Sequence, residues 1–526
     1  MIFYFILILL IFLPAFFYLS FVKKETAGSD HYIHFSIIGL IKNNNNRFIK
    51  YCSYYLFQEK MTYPQFLHWI LSFLSNKRLS VISKYIPTVF SFLSNIAFLC
   101  FLYFLIPHLS IGESESYYLL LSTALFVLTP YTYNIANAKN AGISARGMGL
   151  LLGQVYTYSL VLYYLSQSYV FLVPAAVSVS LAIFSSQFAS QYIIFITPLL
   201  ALGFGSITYI IPLLLGVLLS FVTNFTITSQ FFWGNWGHKK FYSKFLAKTF
   251  ILKYRYSVWK DLFWDFWVYL FKKTKPKGGG TLFMYIYTNP LVILIFSIPL
   301  YFPVLTLSSI SIINMKIEQK SVEFSLTVPL ISAFLLFIIF SFRKTRFLGE
   351  PERYLEFVLG ILSVTAAVFL INEAFISILI LIYQFIFIAF QISLARLRNR
   401  KKGNIETNLL EEIDVKIRAS SLNDDVRILS NNTETLRSLI RPERKIFQGG
   451  LYSEWYGKFH YLDIYYTFNH LKEDKIVPII KEFKINFFVL DKGYLDEGSF
   501  NNLFFNKIDI SKLKENESYI LYKITY

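Results

Sequence analysis

AFISILILIYQFIFIAFQISLARLRNRKKGN, residues 374–404, contains the change of composition around which the chain is organised. No charge falls in residues 374–394, and Glu373 stands at their edge. That length is near the ~20 residues a helix needs to cross the hydrocarbon core. ARLRNRKKGN then reads as a basic exit from a membrane. Before this point the chain is mostly hydrophobic; after it the chain is mostly polar.

Working back from residue 374, further uncharged runs read as spans near 86–107, 117–130, 148–166, 169–185, 190–204, 206–222, 282–306, 326–342 and 354–372. The N-terminal run 1–22 lacks a basic n-region and a small-residue cleavage site, so it reads as a span and not as a signal peptide. The expectation is about eleven transmembrane helices. A hydrophobic fraction of 55% and a mean hydropathy of +0.49 exclude an ordinary soluble protein. Aromatic residues make up 19%, which suits anchoring at both interfaces. The net charge of +18 on so apolar a chain points to anionic lipid or a lipid phosphate, and nucleic acid is not an expected partner. Cys52 and Cys100 have neither disulfide nor metal spacing.

With that span count, the connections 23–85, 131–147, 223–281 and 343–353 and the tail from 395 fall on one face. The other face has only short connections. Loop 223–281 carries eleven Lys/Arg against two Asp, and five of the seven tryptophans. Trp259, Leu262, Phe263, Phe266, Trp267 and Leu270 follow helical spacing, as in a helix lying in the interface plane. It reads either as an anchor on anionic lipid or as the wall of a cleft for a lipid phosphate.

Working forward, residues 395–425 read as a linker and 426–526 as a small soluble α/β domain. VRILS and KIFQGG suggest strands, ETLRSLI and KIVPIIKEF helices, and INFFVLDKG and ESYILYKITY further strands. The alternation favours a partly parallel sheet.

Chemistry-bearing residues gather on the looped face. In GSDHYIHF, Asp30 stands just past the first span, flanked by His31 and His34. A carboxylate there can act as a general base or ligate a cation, so a divalent cation is a candidate cofactor. It can equally be a helix cap. RKTRFLGEPERYLEF, residues 343–357, sets Arg343, Lys344, Arg346 and Arg353 beside Glu350, Glu352 and Glu356. Arginine grips phosphate bidentately, while the plainer reading is a salt-bridged cap. Lys139 and Arg146 in 131–147 could bind a sugar or phosphate, or snorkel. Gln187 and Gln191 could hydrogen-bond a sugar at a span mouth.

These residues together resemble the GT-C superfamily of integral-membrane glycosyltransferases, which includes protein O-mannosyltransferases and the aminoarabinose transferases of lipid A. Asp30 follows the first span as an acidic residue does in that family. YPQFLHW, residues 63–69, resembles its Pro-Pro-aromatic segment, with Gln65 in place of the second proline. SARGMGLLL (144–152) is similar to its Arg-then-small entry to a later span, and GEPERYLEF (349–357) to its late RY-containing loop. The resemblance spans essentially the whole chain. It implies a polyprenyl-phosphate-linked sugar donor and transfer to a glycan, lipid or protein acceptor on the external face of a bacterial inner or plasma membrane. By carry-over Asp30 would be the base, and Arg353 and Arg346 would hold the donor phosphate. Tyr354, Glu350, Arg146, His31 and His68 complete the implied substrate-binding set. Where many relatives have an acidic pair, His31 follows Asp30.

The positive-inside rule would place the looped, basic face in the cytoplasm; the resemblance places it outside. Two other classes fit the same layout. A transporter or flippase would carry mid-span charges and two related halves, and neither is found here. A polymerase or ligase would differ in using a glycan acceptor.

Overall fold

The computed structural model describes residues 6–13, 29–56, 60–83, 85–109, 114–135, 142–244, 290–314, 322–342, 345, 348–420, 425–439, 441, 444–447, 473–492 and 508–525. The Trp-rich segment 259–271 and Arg346 lie outside the described residues.

Residues 6–13 are helical. The first loop then folds as three helices, α1 (Ser29–Asn43), α2 (Phe66–Ser72) and α3 (Asn76–Ile82). The membrane part follows as α4 (Ile86–Leu105), α5 (Glu115–Val127), α6 (Pro130–Ile135), α7 (Arg146–Ser166), α8 (Leu172–Ser185), α9 (Gln187–Gly203), α10 (Ile211–Thr223) and α11 (Phe225–Lys244). It continues as α12 (Pro290–Ser297), α13 (Tyr301–Asn314), α14 (Val322–Ser341), α15 (Arg353–Glu356), α16 (Leu359–Leu370) and α17 (Ala374–Ala419).

Among the described residues, four helices are long and apolar enough to cross a membrane: α4 with its 3-10 extension to His108, α7, α14 and the first part of α17. Five shorter apolar segments accompany them. The central helix is α7, mostly buried, whereas α4 and the apolar part of α17 are only 33% buried and face outward. Small residues allow this packing. A side chain at Gly153 would collide with the Phe357 ring, and one at Gly149 with Ser186.

The expected span 282–306 is not one helix. It breaks between α12 and α13 with a bend of 78°, because Pro299 in the break cannot donate an amide and its ring blocks continuation. The expected span 354–372 is likewise divided, into α15 and α16.

The stretch read as a linker is helical as far as Ala419. The helix α17 runs 46 residues, about 69 Å at 1.5 Å per residue, so the last apolar helix and the C-terminal domain share one rod. That domain has strands β1 (Val426–Ser430), β2 (Arg444–Ile446), β3 (Phe487–Asp491), β4 (Asp509–Glu515) and β5 (Tyr519–Thr525), with α18 (Thr433–Ser438) and α19 (Glu473–Glu482). The order is β2-β1-β3-β5-β4. Strand β1 pairs in parallel with β2 and β3, and β5 runs antiparallel to β3 and β4.

The sheet is extended by the first loop. Tyr55 bridges Ile446 in parallel. Ile446 N–H donates to the Tyr54 carbonyl at 2.8 Å, and Leu56 N–H to the Ile446 carbonyl at 2.9 Å. Ile33, Ile37, Leu40 and Ile41 of α1 share a core with Ile428, Leu436, Ile446 and Val489 of the domain and Ile413 and Ile417 of α17. Each such buried side chain contributes roughly 1.5–3 kcal/mol. Thus α1 is clamped between the membrane bundle and the C-terminal domain.

Candidate functional site

Beside α1 lies a cavity of about 240 Å³. Its walls come from five separate connections of the chain. The first loop gives His34 and Tyr63; the segment before α7 gives Ser144 to Arg146; the turn into α9 gives Ser186, Gln187, Phe188 and Gln191; α11 gives Lys239; and 349–357 gives Gly349, Glu350, Arg353 and Glu356. His34, Tyr63, Ser144, Arg146, Lys239, Gly349, Glu350 and Arg353 fall in connections that sequence reading assigns to one face.

Local rules set each wall. Ser186, extended at φ −149°, caps α9 by accepting from Ala189 N–H. Gly349 has φ +132°, a conformation nearly reserved for glycine, and Pro351 follows it at the start of the next turn. Arg353 N–H donates to the Glu350 carbonyl at 3.1 Å and Tyr354 N–H to the Pro351 carbonyl at 3.1 Å. This tight turn faces Arg353 into the cavity.

The charges are arranged in pairs. Arg353 forms an ion pair with Glu350 and lies over the Phe188 ring at 5.1 Å. Burial opposes its charge, but Glu350 and Glu356 outweigh that and raise its pKa. Arg146 pairs with Glu356 at 3.2 Å. The Arg146 Nε is buried without a hydrogen-bond partner among the described residues.

The residues read from sequence are divided between the cavity and its support. Arg353, Glu350 and Arg146 line it. Tyr354 is fully buried behind the wall, where its hydroxyl donates to the Leu348 carbonyl at 3.3 Å and accepts from Gln191. His68 is also fully buried, with its Nε2 2.7 Å from Nδ1 of His34. Burial first, and then His34, push His68 well below the ordinary imidazole range, so it is neutral. His31 is not in the lining. Its Nδ1 accepts from Ile143 N–H at 3.2 Å and meets Gly142, whose φ of +98° and lack of Cβ allow the approach. It thereby holds the segment that carries Arg146. Asp30 stands in the first turn of α1, four residues before His34; its side chain lies outside the described residues.

Among the described residues no three His, Cys, Asp or Glu side chains gather as a metal cage. Glu350 and Glu356 are engaged by guanidinium groups, so the described residues do not fit a divalent cation.

Sequence reading left four residues out of the site. His34 and Glu356 were in view but unassigned, and Gln191 was read with Gln187 as able to hydrogen-bond a sugar but was not placed with the charged candidates. Lys239 had no signal beyond being one of eleven basic residues in its loop.

Burial pushes the His31 imidazole down to about 4. An unfolded chain takes up that proton near pH 6.5. Between these values protonation favours the unfolded state, so stability falls as pH drops from about 6.5 to about 4, by up to roughly 3 kcal/mol from this group. Denaturant titrations at stepped pH check this; His31→Gln should flatten part of the slope.

No family model matches the chain, and no curated protein matches it.

Proposed function

We propose that this protein is a multi-pass membrane glycosyltransferase of the GT-C type, with about eleven transmembrane helices and its site on the external face. It moves a sugar from a polyprenyl-phosphate-linked donor to a glycan, lipid or protein acceptor. What supports the reading most is one juxtaposition. Arg146 of SARGMGLLL and Arg353 of GEPERYLEF, from two motifs distant in sequence, line the same cavity, and the first loop that carries Asp30 supplies its other wall.

The transfer is inverting. The acceptor hydroxyl attacks the anomeric carbon on the face opposite the phosphate; the new C–O bond forms as the bond to the phosphate oxygen breaks, and its electron pair leaves with the phosphate. Asp30 takes the hydroxyl proton. A carboxylate is a weak base for a hydroxyl, so orientation supplies much of the barrier reduction. Arg353 and Arg146 offset the charge that develops on the leaving phosphate.

The test is release of labelled sugar from a polyprenyl-phosphate sugar by purified protein in lipid, across a panel of acceptors. Multiple turnovers with one acceptor class are expected. Donor binding with no bond cleavage against every acceptor would replace this reading with a transporter.

A further inference from the structure

Three cations line the cavity, and two already have carboxylates: Arg353 has Glu350 and Arg146 has Glu356. Lys239 has none among the described residues. Among the described residues its Nζ donates only to the Leu348 carbonyl, at 3.1 Å. That carbonyl also accepts from Gln191 and from the Tyr354 hydroxyl. An oxygen with two lone pairs therefore serves three donors, and among the described residues the ammonium spends only one of its three N–H donors.

The lysine is also fixed in place. Its helix α11 lies on the first loop, with Gln230 donating to the Lys50 carbonyl at 3.3 Å and Gly234 in close approach to Thr62. Lys239 is half-buried, and an ammonium drawn partly out of water with no counter-charge among the described residues is costly to the fold; an arriving anion supplies what is missing.

We infer that Lys239 is the anchor for the ionised phosphate of the substrate, giving up the Leu348 carbonyl for a phosphate oxygen, and that the anion is bound together with a proton. The inference rests on reading the cavity as a phosphate-linked donor site and names the group that recognises the phosphate. The titratable and charged groups that share the cavity with Lys239 are His34, Tyr63, Arg146, Glu350, Arg353 and Glu356. Burial, and then the charge of Arg353, lower the Lys239 ammonium to about 7. Near neutral pH the free amine is therefore only partly protonated. A phosphate raises its proton affinity, and one proton moves from solvent onto Nζ; no covalent bond changes. Arg353 and Arg146, already paired, orient the remaining phosphate oxygens.

The experiment is calorimetric titration of the full chain in nanodiscs at pH 7.5, in two buffers of different ionisation enthalpy. The probes are polyprenyl monophosphate and inorganic phosphate. Wild type, Lys239→Met and Lys239→Arg are compared, with thermal unfolding as the control for folding. Lys239→Met is expected to weaken binding about 10- to 100-fold, the usual range for losing a hydrogen bond to a charged group. Lys239→Arg should keep most of the affinity but take up less proton than wild type, and this comparison stands even if the methionine variant fails to fold. Lys239-dependent binding of the lipid identifies the carrier as the source of the phosphate; such binding of inorganic phosphate alone identifies a soluble phosphate, and either result supports the anchor. Equal affinity in wild type and Lys239→Met, equal proton uptake in wild type and Lys239→Arg, or no binding of either probe overturns it. Lys239-dependent binding without sugar transfer would leave the anchor standing and remove the transferase reading.

Discussion

Arg353→Met is expected to lower transfer from a polyprenyl-phosphate sugar by about 10²- to 10³-fold, the range seen when one preorganised donor to a developing charge is removed. The guanidinium is held on three sides, by the Glu350 carboxylate, the Phe188 ring at 5.1 Å and the tight turn after Gly349. In the proposed transfer it would meet the leaving phosphate without reorganising. Its loss also removes the Arg353–Glu350 ion pair, so the thermal midpoint should fall as well. Arg353→Lys keeps the charge but not the planar fork, and should recover stability more completely than rate. Asp30→Asn is the companion variant: removing a general base costs about 10²- to 10⁴-fold, with little change in unfolding. Full activity in Asp30→Asn would remove Asp30 from the mechanism, and full activity in Arg353→Met would remove the arginine from the phosphate site.

Asp414→Ala should destabilise the C-terminal domain by about 3–5 kcal/mol, because it strands a buried cation. Asp414 lies on the far part of α17 and is buried against Arg444, whose side chain is only 1% exposed. Arg418 and Arg441 approach the same carboxylate at 2.6 and 3.4 Å. Burial works against the charge of Asp414, but Arg441, Arg444 and Arg418 prevail and hold its pKa below the usual carboxylate range. The stability it contributes is present above the unfolded value near 4 and is lost as pH falls through the lower folded value. Because this cluster joins the long helix to the sheet, limited proteolysis should release a C-terminal fragment from the variant sooner than from wild type. Unchanged proteolysis and unfolding would mean that the α1 core alone holds the domain. The double variant Asp414→Leu, Arg444→Leu should be more stable than Asp414→Ala, since no buried charge remains unpaired.

The membrane helices were legible wherever their signal is local. The runs at 86–107, 148–166, 326–342 and 374–394 coincide with α4, α7, α14 and the start of α17, because an uncharged length near that of the bilayer leaves a helix as the only way to satisfy the backbone. The strands VRILS and INFFVLD were legible for a similar reason, being short β-rich runs between polar breaks. Strand β4, Asp509–Glu515, was not seen; its exposed edge carries Lys512, Lys514 and Glu515 and so has no apolar pattern. The break at Pro299 could have been found from the proline alone. Arg146, Glu350 and Arg353 could be picked out as candidates because charges at the ends of apolar runs stand out.

By itself, then, the sequence determined that this is a helical membrane chain ending in an α/β domain, and which charged segments lie at its boundaries. Those properties depend on hydrophobic length and local period. Only the tertiary structure decided that Arg146 faces Glu356, that His31 supports the Arg146 segment instead of lining the cavity, that α1 is clamped by the C-terminal sheet, and that Lys239 enters the site with no carboxylate partner among the described residues. Such facts depend on how helices far apart in sequence pack. The ionisation of a buried group follows from its neighbours and its distance from water, and neither is written in the residues beside it.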